Sequence, residues 1–180
     1  MQAIARFEKV SFEEYSKAMT NYLMNEEGFS NKQLVDALIL ETYGQIQLPK
    51  RATTGSAGYD FKLPISITLG EDTTQTIPTG IRCKMEEGWV LQLYPRSGHG
   101  FKYGIQLANT VGIIDSDYYN SDNEGHIFVK LVNNSVLARN ITIKEEEAFC
   151  QGVFVPFGIT HDDNVSAQRN GGMGSTNETV

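Results

Sequence analysis

The run Asn109 to Tyr119, N-T-V-G-I-I-D-S-D-Y-Y, gathers residue types that can do chemistry. Val111, Ile113 and Ile114 favour a pleated strand, and Gly112 inside it marks a bulge or a place where backbone approaches a ligand. Asn109 sets a polar side chain ahead of the run, beside backbone groups able to read a flat heterocycle. Asp115 follows at the strand end, close in sequence to the ring of Tyr118. A carboxylate there suits a general base beside a sugar-sized platform. Taken alone, the run reads more simply as a tight hairpin with solvated acids and tyrosines. The rest of the chain decides between the two.

Four other stretches carry candidate groups. T-T-G-S-A-G-Y-D-F (53–61) sets a single acid, Asp60, among glycines and small residues at the start of a strand. Asp60 is either a turn residue or an outer-shell ligand for Mg²⁺, which keeps several waters and takes few carboxylates. Pro95-Arg96-Ser97-Gly98-His99-Gly100 reads as a loop with a guanidinium and a hydroxyl side by side. Arg grips phosphate oxygens bidentately, and Ser with backbone N–H groups takes others; a plain surface turn is the alternative. Gln151 lies in the apolar strand 149–155 and needs hydrogen-bond partners, structural or from a ligand. The tail Gln168–Thr176 is glycine-rich after Arg169. It suits a flap over phosphates, with N–H groups, Arg169, Ser175 and Thr176 as donors, or else a frayed terminus. It lacks the spacing and lysine of a GxxxxGK[ST] loop. The histidines have no metal-ligand spacing.

The elements that must hold these groups fall into three parts. Residues 1–44 read as helical: Ser11 and Glu14 fit a capping box, and Phe12, Tyr15, Met19, Tyr22 and Leu23 recur at helical spacing. Ser30 starts a second helix after a break at Gly28, with Leu34, Val35, Leu38 and Ile39 on its apolar side. Packing on the main domain is the expected use of these faces; a foreign protein partner is the alternative. Residues 45–167 switch to short strands at turn-like intervals, the pattern of an all-β sandwich or barrel. Residues 168–180 form the glycine-rich tail. At 180 residues with 40% hydrophobic content, one domain with a real core is expected. A net charge of −7 argues against broad nucleic-acid or anionic-membrane binding, and no apolar run approaches a membrane span. Cys83 and Cys150 are isolated in strand-like runs and read as buried free thiols of a cytoplasmic protein.

Together and in order, S-A-G-Y-D-F (56–61), P-R-S-G (95–98), G-I-I-D-S-D-Y (112–118), the Gln151 strand and R-N-G-G-M-G-S-T (169–176) resemble the five motifs of the trimeric dUTP pyrophosphatase (dUTPase) family. The likeness covers about residues 46–177. It implies a jelly-roll β-barrel, a homotrimer with active sites shared between subunits, Mg²⁺ as cofactor, and hydrolysis of dUTP to dUMP and pyrophosphate. By that resemblance Asp115 activates the attacking water, Tyr118 packs on deoxyribose and excludes a 2′-hydroxyl, and the hairpin Asn109–Ile114, with Gly112, reads uracil. Asp60 serves Mg²⁺ through water. Arg96, Ser97 and Gly98 position phosphates, as does Gln151 near the nucleophilic water. Arg169, Met173, Gly174, Ser175 and Thr176 form the closing flap.

Three features depart from the family. Met173 stands where a phenylalanine usually stacks on uracil, with Arg169 one residue nearer than usual; the Asn120–Gly125 loop is longer than the usual turn; and the N-terminal helices lie outside the common core. Two rivals follow. A dCTP deaminase shares this fold but carries a catalytic Glu where Lys130 stands, which counts against it. A regulatory, protein-binding module on a dUTPase scaffold is the other.

Overall fold

The structure, a computed structural model, describes residues 2–134, 139–167 and 169–171. In chain order the elements are β1 (Ala5–Lys9), α1 (Phe12–Asn21) continued by a π-helical turn (Tyr22–Glu26), α2 (Lys32–Gln45), β2 (Lys50–Arg51), β3 (Tyr59–Lys62), β4 (Ile67–Leu69), β5 (Thr74–Pro78), β6 (Ile81–Met85), β7 (Trp89–Pro95), α3 (Ser97–Tyr103), β8 (Ile105–Leu107), β9 (Gly112–Ile114), a 3₁₀ helix (Ser116–Asn120), β10 (Phe128–Asn133), β11 (Ile141–Ile143) and β12 (Ala148–Pro156). The fold is mainly β with helices near the N-terminus, as expected.

Among the described residues the largest sheet runs β2-β3-β12-β7-β9, antiparallel throughout. Smaller groups are β5-β10-β8, β4-β11 and β1-β6. Period-two alternation faces Leu91, Leu93, Val129, Leu131, Phe61 and Phe149 into one core. A second cluster (Val10, Tyr15, Met19, Tyr22, Leu23, Val35, Ile39) belongs to the helical segment, and Ile46 and Ile65 pack against both. Most of the expected helical faces are therefore buried within the chain itself, whereas Phe12 and Leu34, expected on the same faces, are 43% and 54% exposed.

Three local expectations are corrected. Residues 1–44 are not helical throughout: Ala5–Lys9 is a strand on β6, running from Ala5 opposite Met85 to Lys9 opposite Ile81. Five residues are too few for periodicity to separate helix from strand, and β6 pairs with no other strand among the described residues, so β1 covers its edge. The second helix starts one residue late, with Asn31 rather than Ser30 as the cap accepting the Leu34 N–H at 3.2 Å. The Pro95–Gly100 run is not a loop: Arg96 caps α3, and its two glycines hid the helix from sequence.

Candidate active site

Two groups of the expected site residues form, at opposite ends of β7. The first surrounds a cleft of about 600 Å³ lined by Asn109, Gly112, Ile114, Asp115, Tyr118, Lys130 and Arg169. Its floor is the short strand β9, entered through Thr110, whose φ of 66° is the left-handed turn that swings the chain round. Gly112 is there because β7 is close: a Cβ on it would stand 3.0 Å from the Leu93 side chain.

Asp115 leaves β9 and precedes the 3₁₀ helix, with the Tyr118 N–H donating to its carbonyl at 3.2 Å. That turn puts ring and carboxylate on the same cleft. Tyr118 is 6% exposed. Its hydroxyl donates to the His126 carbonyl and accepts from Asn123 Nδ2, both at 2.8 Å. Burial pushes its phenol pKa above the ordinary value. Arg169 closes this end: it donates to Asp115 Oδ2 at 2.5 Å and Asp117 Oδ1 at 2.9 Å, with its guanidinium carbon 5.9 Å from the centre of the Tyr118 ring.

The second group lies in one row across the sheet, where Asp60 on β3 stands opposite Gln151 on β12, itself opposite Tyr94 on β7. Arg96 follows β7 and donates to Asp60 Oδ1 at 2.6 Å. Gln151 Nε2 donates to the Pro95 carbonyl at 3.2 Å. Its amide oxygen fills the space beside Gly58, where a Cβ would stand 2.3 Å away. Ser97 and Gly98 are exposed in the first turn of α3. His99 contacts Glu147 at 3.0 Å, and that hydrogen bond holds the Glu147 carboxyl below its usual range.

The sheet register separates the two groups. Ile114 pairs with Leu91, so Asp115 falls near Val90, whereas Arg96 lies beyond the far end of β7. At ~3.3 Å per residue along a strand, that places them roughly 20 Å apart. This exceeds the span of a triphosphate beyond its α-phosphorus.

A family model described as dUTPase matches residues 44–177. The chain belongs to the dUTPase family. A deoxyuridine 5′-triphosphate nucleotidohydrolase of Lactococcus lactis is 41% identical over 134 residues, covering 73% of this chain and 88% of that protein. One from Chromobacterium violaceum is 37% identical over 151 residues, covering 79% and 96%. Among solved structures, a Streptococcus mutans dUTPase superposes with a TM-score of 0.60 at 31% identity, covering 86% of this chain and 97% of that one.

Within this dUTPase-family chain, Asn109, Gly112, Ile114, Asp115, Tyr118 and Arg169 come together, as do Asp60, Arg96, Ser97, Gly98 and Gln151, in two separate places. Met173, Gly174, Ser175 and Thr176 lie outside the described residues. Sequence reasoning missed Asp117 as an Arg169 partner and Thr76 as a lining residue of the cleft. The acid two positions after Asp115 was the available signal for the first. Thr76 had none, since only the β5–β10 pairing opposite Lys130 brings it there.

Proposed function

We propose that the protein hydrolyses dUTP to dUMP and pyrophosphate, which limits uracil in DNA and supplies dUMP. The observation that carries this is Asp115 at the mouth of the β9 cleft, its carboxylate sharing Arg169 with the Tyr118 ring. Family membership supports the same chemistry and disfavours deamination, in which Lys130 has no simple role.

In this reading uracil lies on β9, whose backbone groups match its N–H between two carbonyls, while cytosine leaves protein groups unpaired. The sugar packs on Tyr118. Asp115 takes a proton from the water that attacks the α-phosphorus, the bond to the bridging oxygen breaks, and pyrophosphate leaves. Arg169 exchanges its carboxylates for phosphate oxygens as the tail, with Met173, Gly174, Ser175 and Thr176, closes over the nucleotide. Arg96, Ser97 and Gln151 bind phosphates from the other end of β7. That end belongs to a neighbouring subunit, because roughly 20 Å of rigid sheet keeps one chain's own two groups apart. A closed homotrimer with shared sites satisfies this requirement.

Mg²⁺ fits the donors present. The described residues contain no cluster of three acidic, His or Cys ligands, and the phosphate group offers one carboxylate, Asp60. A hard cation that keeps its waters and takes most of its oxygens from phosphates suits such a set, with Asp60 acting through water. Bound there, the ion would neutralise charge on the triphosphate. No described helix is long and apolar enough to cross a membrane. The buried Cys83 thiol, pushed up to about 12, and the buried Cys150 thiol agree with a reducing, cytoplasmic setting.

Pyrophosphate release measured with dUTP, UTP, dCTP and dTTP, with and without Mg²⁺, tests the reading. Strong, Mg²⁺-dependent preference for dUTP is expected. Equal use of UTP would remove Tyr118 from its role, and ammonia from dCTP would restore the deaminase.

A further inference from the structure

Residues 2–43 precede the family match, and the structure joins them to the Asn120–Gly125 loop that lies within it. Ser11 caps α1 in the ordinary way, accepting the Glu14 N–H at 3.1 Å. The reciprocal acid, however, comes from the loop. Glu124 accepts the Ser11 N–H at 2.8 Å and the Ser11 hydroxyl at 2.6 Å, where a capping box would use Glu14 itself.

Glu14 is thereby free to turn inward, its Oε1 3.1 Å from His126 Nδ1. His126 is wholly buried. Its Nε2 accepts the Gly80 N–H at 2.9 Å, so in the neutral ring the proton sits on Nδ1 and is donated to Glu14. The ring packs 4.4 Å from the Phe128 ring and 6.5 Å from Tyr15 of α1, centre to centre. The carbonyl of the same residue accepts the Tyr118 hydroxyl, and Asn123 Nδ2 reaches both acceptors, at 2.8 Å to Tyr118 and 3.3 Å to His126. One unbroken path therefore links α1 to the ring on the cleft.

We propose that Glu14 and His126 are positioning residues for Tyr118, and that α1 with the Glu124 loop forms a brace setting how strongly the site rejects a 2′-hydroxyl. The inference rests on the reading of Tyr118 as the ring against the sugar. Steric exclusion of one oxygen depends on ring placement to a fraction of an ångström, because close-packed groups yield little. Removing the Glu14 acceptor leaves a buried N–H unpaired, favours the other histidine tautomer, and sets its Nε2–H against the Gly80 N–H. The His126 carbonyl then shifts, and the tyrosine with it.

The test compares kcat and KM for dUTP and UTP in the full-length protein carrying Glu14→Leu, Glu14→Gln or Tyr118→Ala, alongside thermal melting. Glu14→Leu is expected to cut the dUTP-over-UTP ratio of kcat/KM about tenfold, through KM, with kcat for dUTP within about twofold. Glu14→Gln keeps an acceptor oxygen and restores the ratio. A purely structural role for Glu14 would lower the melting temperature and leave the ratio alone, which overturns the proposal. Tyr118→Ala separates the two levels. If it abolishes discrimination while Glu14→Leu does not, the brace fails and the sugar reading stands; if it leaves discrimination intact, the sugar reading falls and takes the brace with it. Should Glu14→Leu not fold, Glu124→Ala at the surface loosens the same cap, and a ratio unchanged there counts equally against the brace.

Discussion

The two ends of β7 are built on different principles. At the β9 end, a strand of three residues and a 3₁₀ turn hold Tyr118 by its hydroxyl in a nearly saturated network, and a salt bridge closes the cleft. At the α3 end, Asp60 and Gln151 sit on neighbouring strands and Arg96 follows the next one, resting on Asp60 with its side chain 37% exposed. Under the proposed function the first end would take a flat base and a sugar, and the second would exchange an internal partner for phosphate oxygens, so that neither alone is a whole site. In the proposed reading, the stiffness of the sheet that holds both is what calls for a second copy.

The largest expected effect belongs to the β9 end. Asp115→Asn keeps size and loses the base, so kcat for dUTP should fall on the order of 10³-fold with KM little changed. Steady-state pyrophosphate release checks it, and a raised KM with kcat unchanged would mean that Asp115 binds rather than reacts. At the other end, Arg96→Ala removes the proposed phosphate donor and strands Asp60. A loss of about 100-fold in kcat/KM is expected, with Arg96→Lys recovering only part of it. A finer cut is Gly58→Ala, whose Cβ would stand 2.3 Å from Gln151 Oε1. The amide end can swing away cheaply, so stability should drop by about 1 kcal/mol or less while turnover falls about tenfold. A large fall in melting temperature without a kinetic change would remove Gln151 from the phosphate group.

The smallest expected effect is on stability rather than rate, and it belongs to the brace at the β9 end. Burial holds His126 down to about 4 from 6.5, so between those values the unfolded chain binds a proton that the native chain does not. Native stability therefore falls as pH drops from about 6.5 towards about 4. Glu124 and Glu8, held below their usual range by hydrogen bonds from Ser11 and Tyr119, lose their contribution at the acid end of the same range. Glu14, raised by burial, opposes them. The melting temperature should decrease by ~5 °C between pH 7 and pH 4.5, and His126→Gln should flatten that slope. A flat profile in the unsubstituted protein would place His126 in water.

The strands around the site were legible because alternation survives in Trp89–Pro95 and Phe128–Asn133, and the site motifs because their order along the chain is specific. Ser11 and Glu14 were read correctly as a helix start, yet their partners were not, since Glu124 and His126 arrive from more than a hundred residues away. Arg96 was assigned to phosphates and Asp60 to Mg²⁺ through water, but their contact depends on β3 and β7 flanking β12. The same long-range pairing hid β1. What periodicity encodes is the face a residue presents; which element then meets that face is decided by topology.

The proposed requirement for a second copy is tested most directly by complementation. Asp115→Asn and Arg96→Ala chains, each inactive or nearly so, are unfolded together, refolded as a mixture and assayed for dUTP hydrolysis. Shared sites combine an intact β9 end from one chain with an intact α3 end from another, so about a quarter of the normal activity should return. Activity no greater than the sum of the two separate variants, in a mixture demonstrated to form mixed oligomers, would mean that one chain assembles its own site.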